Sequence, residues 1–293
     1  MSVPTTFGAS LPKENFSQVN SNGVELELEF NDQIGDLRYY LRGNFSYAKS
    51  WWAKKDEAEN IRPYKSEIGK SLSREWGFEC IGMIRTEEQL KQYMEENPKM
   101  TIKGQKPGLG MLIYKDVRGP QSDDPDGIIT DDDKVVIIKN QIAPFTYGFS
   151  IGGSWKGFML DVFFQGLAGN KKLMDFRGNG INAHTSTFKY YNDHWTPENT
   201  DASMPGATQY KNNEASTFWV RNASFLRCKN ISLSYDLPRS LIQQIGVEKI
   251  RVFVNGTNLF LLEDHIKWMD PEATSISDYP VMRNFSFGLN ITI

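Results

Sequence analysis

The last residues of the chain set its pattern. From Phe285 the odd positions Phe285, Phe287, Leu289, Ile291 and Ile293 are apolar, and Ser286, Gly288, Asn290 and Thr292 between them are small or polar. A period of two marks a strand with one greasy and one wet face. The period recurs upstream. Val24, Leu26, Leu28 and Phe30 alternate with Glu25, Glu27 and Glu29; Leu37, Tyr39, Leu41, Phe45 and Tyr47 oppose Arg38, Arg42, Asn44 and Ser46. Phe145, Tyr147, Phe149, Ile151 and Trp155 alternate with Thr146, Gly148, Ser150, Gly152 and Ser154, and Phe158, Leu160, Val162 and Phe164 face away from Asp161 and Gln165. Ile231, Leu233, Tyr235 and Leu237 oppose Ser232, Ser234 and Asp236, while Ile250, Val252 and Val254 oppose Arg251 and Asn255. This predicts about seven strands, several near the ~10 residues that cross an outer membrane at a tilt. The apolar faces, rich in Phe, Tyr and Trp, suit lipid and its interfacial girdles; the polar faces carry charges, Gly and Asn, as a water-filled interior does. The fold class expected is all-β, an antiparallel transmembrane β-barrel with long extracellular loops. A soluble sandwich strand alternates in the same way, so a secreted glycan-binding β-sandwich is the alternative.

The connections separate the two. Asn31–Gly35, Trp155-Lys156-Gly157 and the stretch 238–248 (where Leu241, Ile242 and Ile245 have helical spacing) are short. Between them in order lie the long excursions 53–144 and 169–220 and a medium link, 263–280. A barrel sorts its connections this way, into short periplasmic turns and long extracellular loops, which sets the C-terminus on the periplasmic side. The chain therefore reads as one barrel domain, 1–293, with 53–144, 169–220 and 263–280 outside the cell and a helix near Glu87–Glu95. About seven strands cannot close a barrel, and an open edge in lipid leaves backbone N–H and C=O groups unpaired at several kcal/mol each. The remaining strands are expected from an upstream segment of the same protein, and the chain expressed by itself is expected to aggregate or pair edge to edge.

Composition changes little. Mean hydropathy is −0.49, and no run approaches the ~20 apolar residues of a membrane helix; barrel strands escape such averages because only alternate residues are apolar. A net charge of −3 argues against a nucleic-acid surface. Met1-Ser2-Val3-Pro4 does not open a signal peptide. Three His and two Cys argue against a zinc site, and the spacing of Cys80 and Cys228 does not choose between a disulfide and two thiols.

Several motifs, in order, carry a family resemblance: Gly8-Ala9-Ser10 and Asn22-Gly23-Val24-Glu25-Leu26, Asn44 to Lys49, Tyr147-Gly148-Phe149, Trp155-Lys156-Gly157-Phe158, Phe164-Gln165-Gly166 and Trp195-Thr196-Pro197-Glu198-Asn199. Phe218-Trp219, Ala223 to Arg227 with Lys229-Asn230, Asn258-Leu259-Phe260, Asp270-Pro271-Glu272 and Tyr279-Pro280 complete them. Over nearly its full length the chain resembles the C-terminal third or so of SusC/RagA-type TonB-linked outer-membrane transporters. The resemblance implies the last strands of a barrel of about 22 strands around an N-terminal plug. It implies import of glycans or peptides on energy relayed by a TonB complex, a SusD-like surface lipoprotein as lid, and no required cofactor. The signal peptide, TonB-contacting segment, plug and early strands have no counterpart in the chain, so the piece by itself is not expected to transport. Truncated gene, split reading frame and cloned piece all remain open. Family members usually end in an aromatic residue; Ile293 keeps only the apolar parity.

Candidate chemistry is sparse. Ser122 to Asp133 resembles an EF-hand calcium loop, with Asp124, Asp126 and Asp133 offering carboxylates and Ile128 a carbonyl, and Asp116 as a candidate first acid. The plainer reading is a solvated acidic turn. Tyr190, Tyr191, Trp195 and Trp219 are candidates for stacking on sugar rings, or else they pack the loops. Glu25, Glu27 and Glu29 form an acidic stripe on one strand face. His184 and His194 have no matched acid or Ser, and no catalytic constellation emerges, so an enzyme is not expected.

Overall fold

The computed structural model describes residues 14–174, 189–206, 214–275 and 278–293; Gly8-Ala9-Ser10 and His184 lie outside them. Seven long strands form one antiparallel sheet in chain order: β1 (Gln18–Ile34), β2 (Leu37–Lys54), β3 (Phe145–Trp155), β4 (Phe158–Ala168), β5 (Phe225–Asp236), β6 (Lys249–Asp264) and β7 (Asn284–Thr292). These are the seven segments of alternating polarity. β1, β2 and β6 run well past the alternating cores that announce them. Asn31, Asp32 and Gln33, read from sequence as a turn, stay in β1 and pair with Tyr40, Tyr39 and Arg38. A polar stretch mimics a turn by composition, but a strand lining a wet interior is polar on alternate residues anyway. Between β3 and β4 the loop is Lys156-Gly157 alone, since Trp155 pairs with Phe158. Both loop residues have positive φ, at 46° and 90°, the handedness that a two-residue hairpin needs to match strand twist.

Register carries the two faces across the sheet. One row runs Phe30, Leu41, Ile151, Val162, Ile231, Gly256, Phe285, each residue paired with the next. One residue along lies a polar row: Asn31, Tyr40, Gly152, Asp161, Ser232, Asn255, Ser286. A slip of one residue at any strand pair would mix the faces. The apolar face is uncovered: Phe287 is 82% exposed, and Leu28, Ile151, Phe158, Leu233 and Leu289 are exposed with it. A sandwich would bury this parity between two sheets; here one layer turns it outward, over an area that suits lipid. Glycines on both faces are covered by the ring opposite, Tyr40 over Gly152, Tyr147 over Gly166 and Phe253 over Gly288, each ring lying where a side chain would stand. Such aromatic–glycine pairs fix cross-strand register.

The core lies outside the sheet. Phe78, Met100, Ile102, Leu112, Tyr114 and Ile129 from 53–144 pack with Met174, Met204 and Trp219 from 169–220 and Ile266 from 263–280 in one buried cluster. Three excursions far apart in sequence therefore fold as one body at one end of the sheet. Short strand pairs frame it: Glu75–Gly77 with Val135–Ile138, Cys80–Met83 with Leu112–Tyr114, and Lys171–Leu173 with Val220–Asn222. The expected helix is α1 (Glu87–Glu96), capped by the Thr86 side chain, which accepts from the Gln89 N–H. Cys80 and Cys228 are both free thiols.

The two faces make opposite demands on a charge. Ile151→Arg, on the outward row of β3, should cost about 2–4 kcal/mol of membrane-inserted stability, while Ser150→Arg, its inward neighbour, should be tolerated. Recovery of each variant from carbonate-washed membranes checks this, and equal losses for the two would contradict the assignment of faces.

Candidate functional site

Near the short turns the polar face forms a concavity of about 600 Å³ bordered by Asn31, Gln33, Arg38, Tyr40, Asp161 and Ser232. Tyr40 on β2 donates its hydroxyl to the Asp161 carboxylate on β4, across Gly152 of the intervening β3. Of the acidic stripe, Glu29 accepts from Arg42 Nε and Nη2, at 3.2 Å each, and Glu25 and Glu27 stand opposite Ser46 and Asn44. This wall offers hydroxyls, amides and carboxylates, the equipment of a hydrated surface that binds by hydrogen bonds.

At the other end, the sheet grips the loop body through charge. Arg227 on β5, only 4% exposed, donates from Nη2 to both Asp270 oxygens at 2.7 and 2.6 Å and pairs through Nε with Glu272 at 2.6 Å. Lys229 donates to both Glu272 oxygens, at 2.8 and 3.1 Å, and to Asn258 Oδ1 at 3.1 Å. A bulge makes this reach possible: pairing between β5 and β6 slips between Cys228 and Asn230, and Asn258 takes a left-handed φ of 54°, which Asn tolerates better than most residues. From the far side Lys172 donates to the carbonyls of Pro271 and Ala273. Burial draws the Lys172 ammonium below its ordinary value, and Asp270, Asp278 and Glu272 oppose that. Asp270-Pro271-Glu272 is thus held by three cations from two segments.

The loop aromatics divide. Trp195 is half-buried and ties two excursions together: its Nε1 donates to the Arg85 carbonyl at 3.0 Å, and Arg85 in turn donates to the carbonyls of Thr200 and Ala202. Gly110, with φ 72°, lies against the Trp195 ring where a Cβ would come within 2.5 Å of it, so both its space and its backbone demand glycine. Trp219 is fully buried in the core and offers no face to a ligand, a correction to its candidacy as a stacking platform. Tyr190 and Tyr191 fall in the short helix Lys189–Asp193; their side chains lie outside the described ones.

The acidic loop is satisfied from within. Asp133 is buried, one oxygen accepting from the Val117 and Arg118 N–H groups at 2.8 and 3.0 Å and the other from Thr130 N–H at 2.7 Å. Asp126 accepts from Ile128 N–H, and Asp124 from the Ser122 hydroxyl. Asp116 accepts from the N–H groups of Asp126 and Gly127, with burial nevertheless lifting its carboxyl above the ordinary range. Arg62 donates to the carbonyls of Gly119, Pro120 and Ser122 and to the Asp123 carboxylate at 2.6 Å. Asp124, Asp126, Ile128 and Asp133 do not converge on a common centre, and among the described residues no three His, Cys, Asp or Glu side chains are grouped to hold a metal ion. Asp126 and Asp133 accept from backbone amides and Asp124 from the Ser122 hydroxyl, while Arg62 neutralises the neighbouring Asp123.

No family model matches the chain. It is 27% identical over 316 aligned positions to TonB-dependent receptor P3 of Formosa agariphila, covering 99% of this chain and 30% of that protein. TonB-dependent receptor P26 of the same organism is 27% identical over 243 residues, 77% of this chain and 23% of the relative. TonB-dependent receptor SusC of Bacteroides thetaiotaomicron is 29% identical over 170 residues, 56% of this chain and 16% of the relative. Among solved structures, the RagAB peptide importer in its closed-closed state superposes with a TM-score of 0.72 at 25% identity, over 99% of this chain and 31% of that one. The chain is of the SusC/RagA type of TonB-dependent receptor. It spans under a third of the length of these relatives. Proteins of this type are outer-membrane transport proteins rather than enzymes, and the seven strands are a partial transmembrane barrel.

In this SusC/RagA-type segment the motifs that carried the resemblance acquire roles. Ala223 to Lys229, Asn258-Leu259-Phe260 and Asp270-Pro271-Glu272 are one ion-paired joint, although their separation in sequence hides it. Trp195 to Asn199 is a clasp. Lys172 and Arg85 had no signal in the sequence, since a lone Lys or Arg in a loop resembles any solvated charge. Tyr40 had one that was passed over: it shares parity with Arg38 and Arg42, which puts it on the wet face. Arg227→Ala leaves Asp270 and Glu272 short of a buried partner and should cost about 3–5 kcal/mol. Denaturant unfolding followed by tryptophan fluorescence reads this, with the exposed Arg239→Ala as the silent control.

Proposed function

We propose that the chain is part of the wall of an outer-membrane active transporter that imports glycans or other nutrient oligomers with energy supplied through TonB. The observation that carries this reading is the paired rows of the sheet. An apolar row crosses all seven strands and faces outward, a hydrogen-bonding row faces inward beside it, and among the described residues β1 and β7 each have a strand on one side only. Edges of this kind are stable in lipid only when further strands pair with them, and the relatives are about three times as long. Excursions 53–144, 169–220 and 263–280 lie outside the cell, with the short turns and the C-terminus in the periplasm. A SusD-like surface lipoprotein covers the loop body. RagAB, a peptide importer by name, and SusC support a partnered importer, and the choice between glycan and peptide rests on loops and plug together.

Deleting the coding stretch from the producing cell should abolish growth on one class of oligosaccharide or peptide as carbon source while growth on the corresponding monomer persists. Unchanged growth across all oligomers tested would sink the transport role. Orientation has its own test in a Cys80→Ser, Cys228→Ser background. An impermeant maleimide should label Ile142→Cys, in the first excursion, on intact cells. It should label Asp36→Cys, in the β1–β2 turn, only after the outer membrane is opened.

A further inference from the structure

A small cavity of about 260 Å³ opens on the loop body, lined by Tyr64, Lys65, Trp76, Asp131 and Lys134. It lies away from the polar wall of the sheet and from the Arg227 joint. The Tyr64 and Trp76 rings stand 6.3 Å apart at 61°. Both rings stand among cations: the Arg118 guanidinium lies 3.8 Å, that of Arg62 5.0 Å and the Lys65 ammonium 5.5 Å from the Tyr64 centroid, and the Arg74 guanidinium lies 5.6 Å from the Trp76 centroid, which leaves the Trp76 ring as the more open platform. Arg118 is fixed by donating to the carbonyls of Asp132 and Lys134, so the Tyr64 ring is held in place rather than free to collapse into the space. The lysines are positioned too. Asp131 accepts from Lys103 at 3.0 Å and pairs with Lys134 at 2.9 Å, and Lys65 donates to Asp132 at 3.1 Å. Lys134 and Lys103 hold the Asp131 carboxyl below its ordinary range.

We propose that this cavity is a binding subsite for one sugar ring bearing a carboxylate, such as the end of an acidic oligosaccharide. Flat ring faces with polar rims suit the apolar side of a pyranose. Each lysine ammonium has three N–H donors; Lys65 engages Asp132 and the Tyr64 side chain, Lys134 engages Asp131, and the donor left on each can turn to an incoming anion. Asp131, already claimed by two ammonium groups, organises those donors and accepts from a sugar hydroxyl. The volume lies below the ~300–1,000 Å³ of pockets for larger ligands, which limits the occupant to about one ring. The assignment rests on the proposed outward placement of 53–144 and deepens it by naming a feature of the solute. Its test is a binding measurement, so it fails or stands independently of whether import itself is found.

The full chain in detergent micelles is titrated with glucuronic acid, glucose and a Glu-Glu dipeptide by saturation-transfer NMR, with far-UV circular dichroism to confirm the fold of each variant. Glucuronic acid should bind in the millimolar range, at least tenfold tighter than glucose. Lys134→Gln should weaken it about tenfold and Tyr64→Leu should remove it, while 0.5 M salt should weaken glucuronic acid and leave glucose unchanged. Equal binding of glucose and glucuronic acid overturns the proposal. So does tighter binding of the dipeptide, or undiminished binding by both folded variants, or no binding to the folded chain.

Discussion

Pairing between neighbouring strands, residue by residue, is the constraint from which the rest of this structure follows. A single-layer sheet has no interior to hide a mistake. Its backbone groups must find partners along the ladder, and its side chains must be sorted by parity alone, because lipid lies on one side and water on the other. The rows from Phe30 to Phe285 and from Asn31 to Ser286 show how strictly this holds across seven strands. Tyr40, Tyr147 and Phe253, each laid over the glycine opposite, act as pegs for that register. They matter because no second sheet of this chain packs, among the described residues, over the seven strands to enforce it.

A sheet without a core moves the burden of burial elsewhere. In most domains the loops depend on a core made by the strands; here the excursions make their own, with Phe78, Leu112, Tyr114 and Trp219 at its centre. Burial is deep enough there to push the Tyr114 hydroxyl far above its ordinary value. The body must still be joined to the sheet, and an apolar joint would compete with the lipid-facing surface below it. Arg227, Lys229 and Lys172 around Asp270 and Glu272 solve this with charge instead. Such a cluster adds little net stability when whole, since desolvation offsets attraction, but it strongly penalises any arrangement that leaves one member unpaired. It therefore specifies where the body sits rather than how tightly.

How much of this was legible follows from the same physics. Strand existence was legible because a period of two survives in each strand independently of its neighbours. Strand ends were not: Asn31 to Gln33 look like a turn, and only their partners Tyr40 to Arg38 keep them in the ladder. The joint was invisible, since Arg227, Asn258 and Asp270 meet through a bulge that no local pattern announces. Trp219 stood between two readings, ligand platform and loop packing, for a related reason. A loop aromatic in a polar context reads as a platform for ligand, and nothing in one excursion's sequence tells that two others will close over it.

The acidic loop carries that lesson into chemistry. Clustered carboxylates repel, and the sequence motif invites a hard cation to relieve them. Two other remedies are used here. Backbone N–H groups converge on Asp133 and Asp116, and the guanidinium of Arg62, more than fifty residues upstream, gathers three carbonyls and a carboxylate of the same loop. A guanidinium is planar, permanently charged and carries five donors, so it can satisfy several oxygens at once without demanding the near-spherical shell that calcium does. A spacing of acids thus specifies the need for positive charge and leaves open what supplies it; the supplier is decided by a residue that only the tertiary fold brings near.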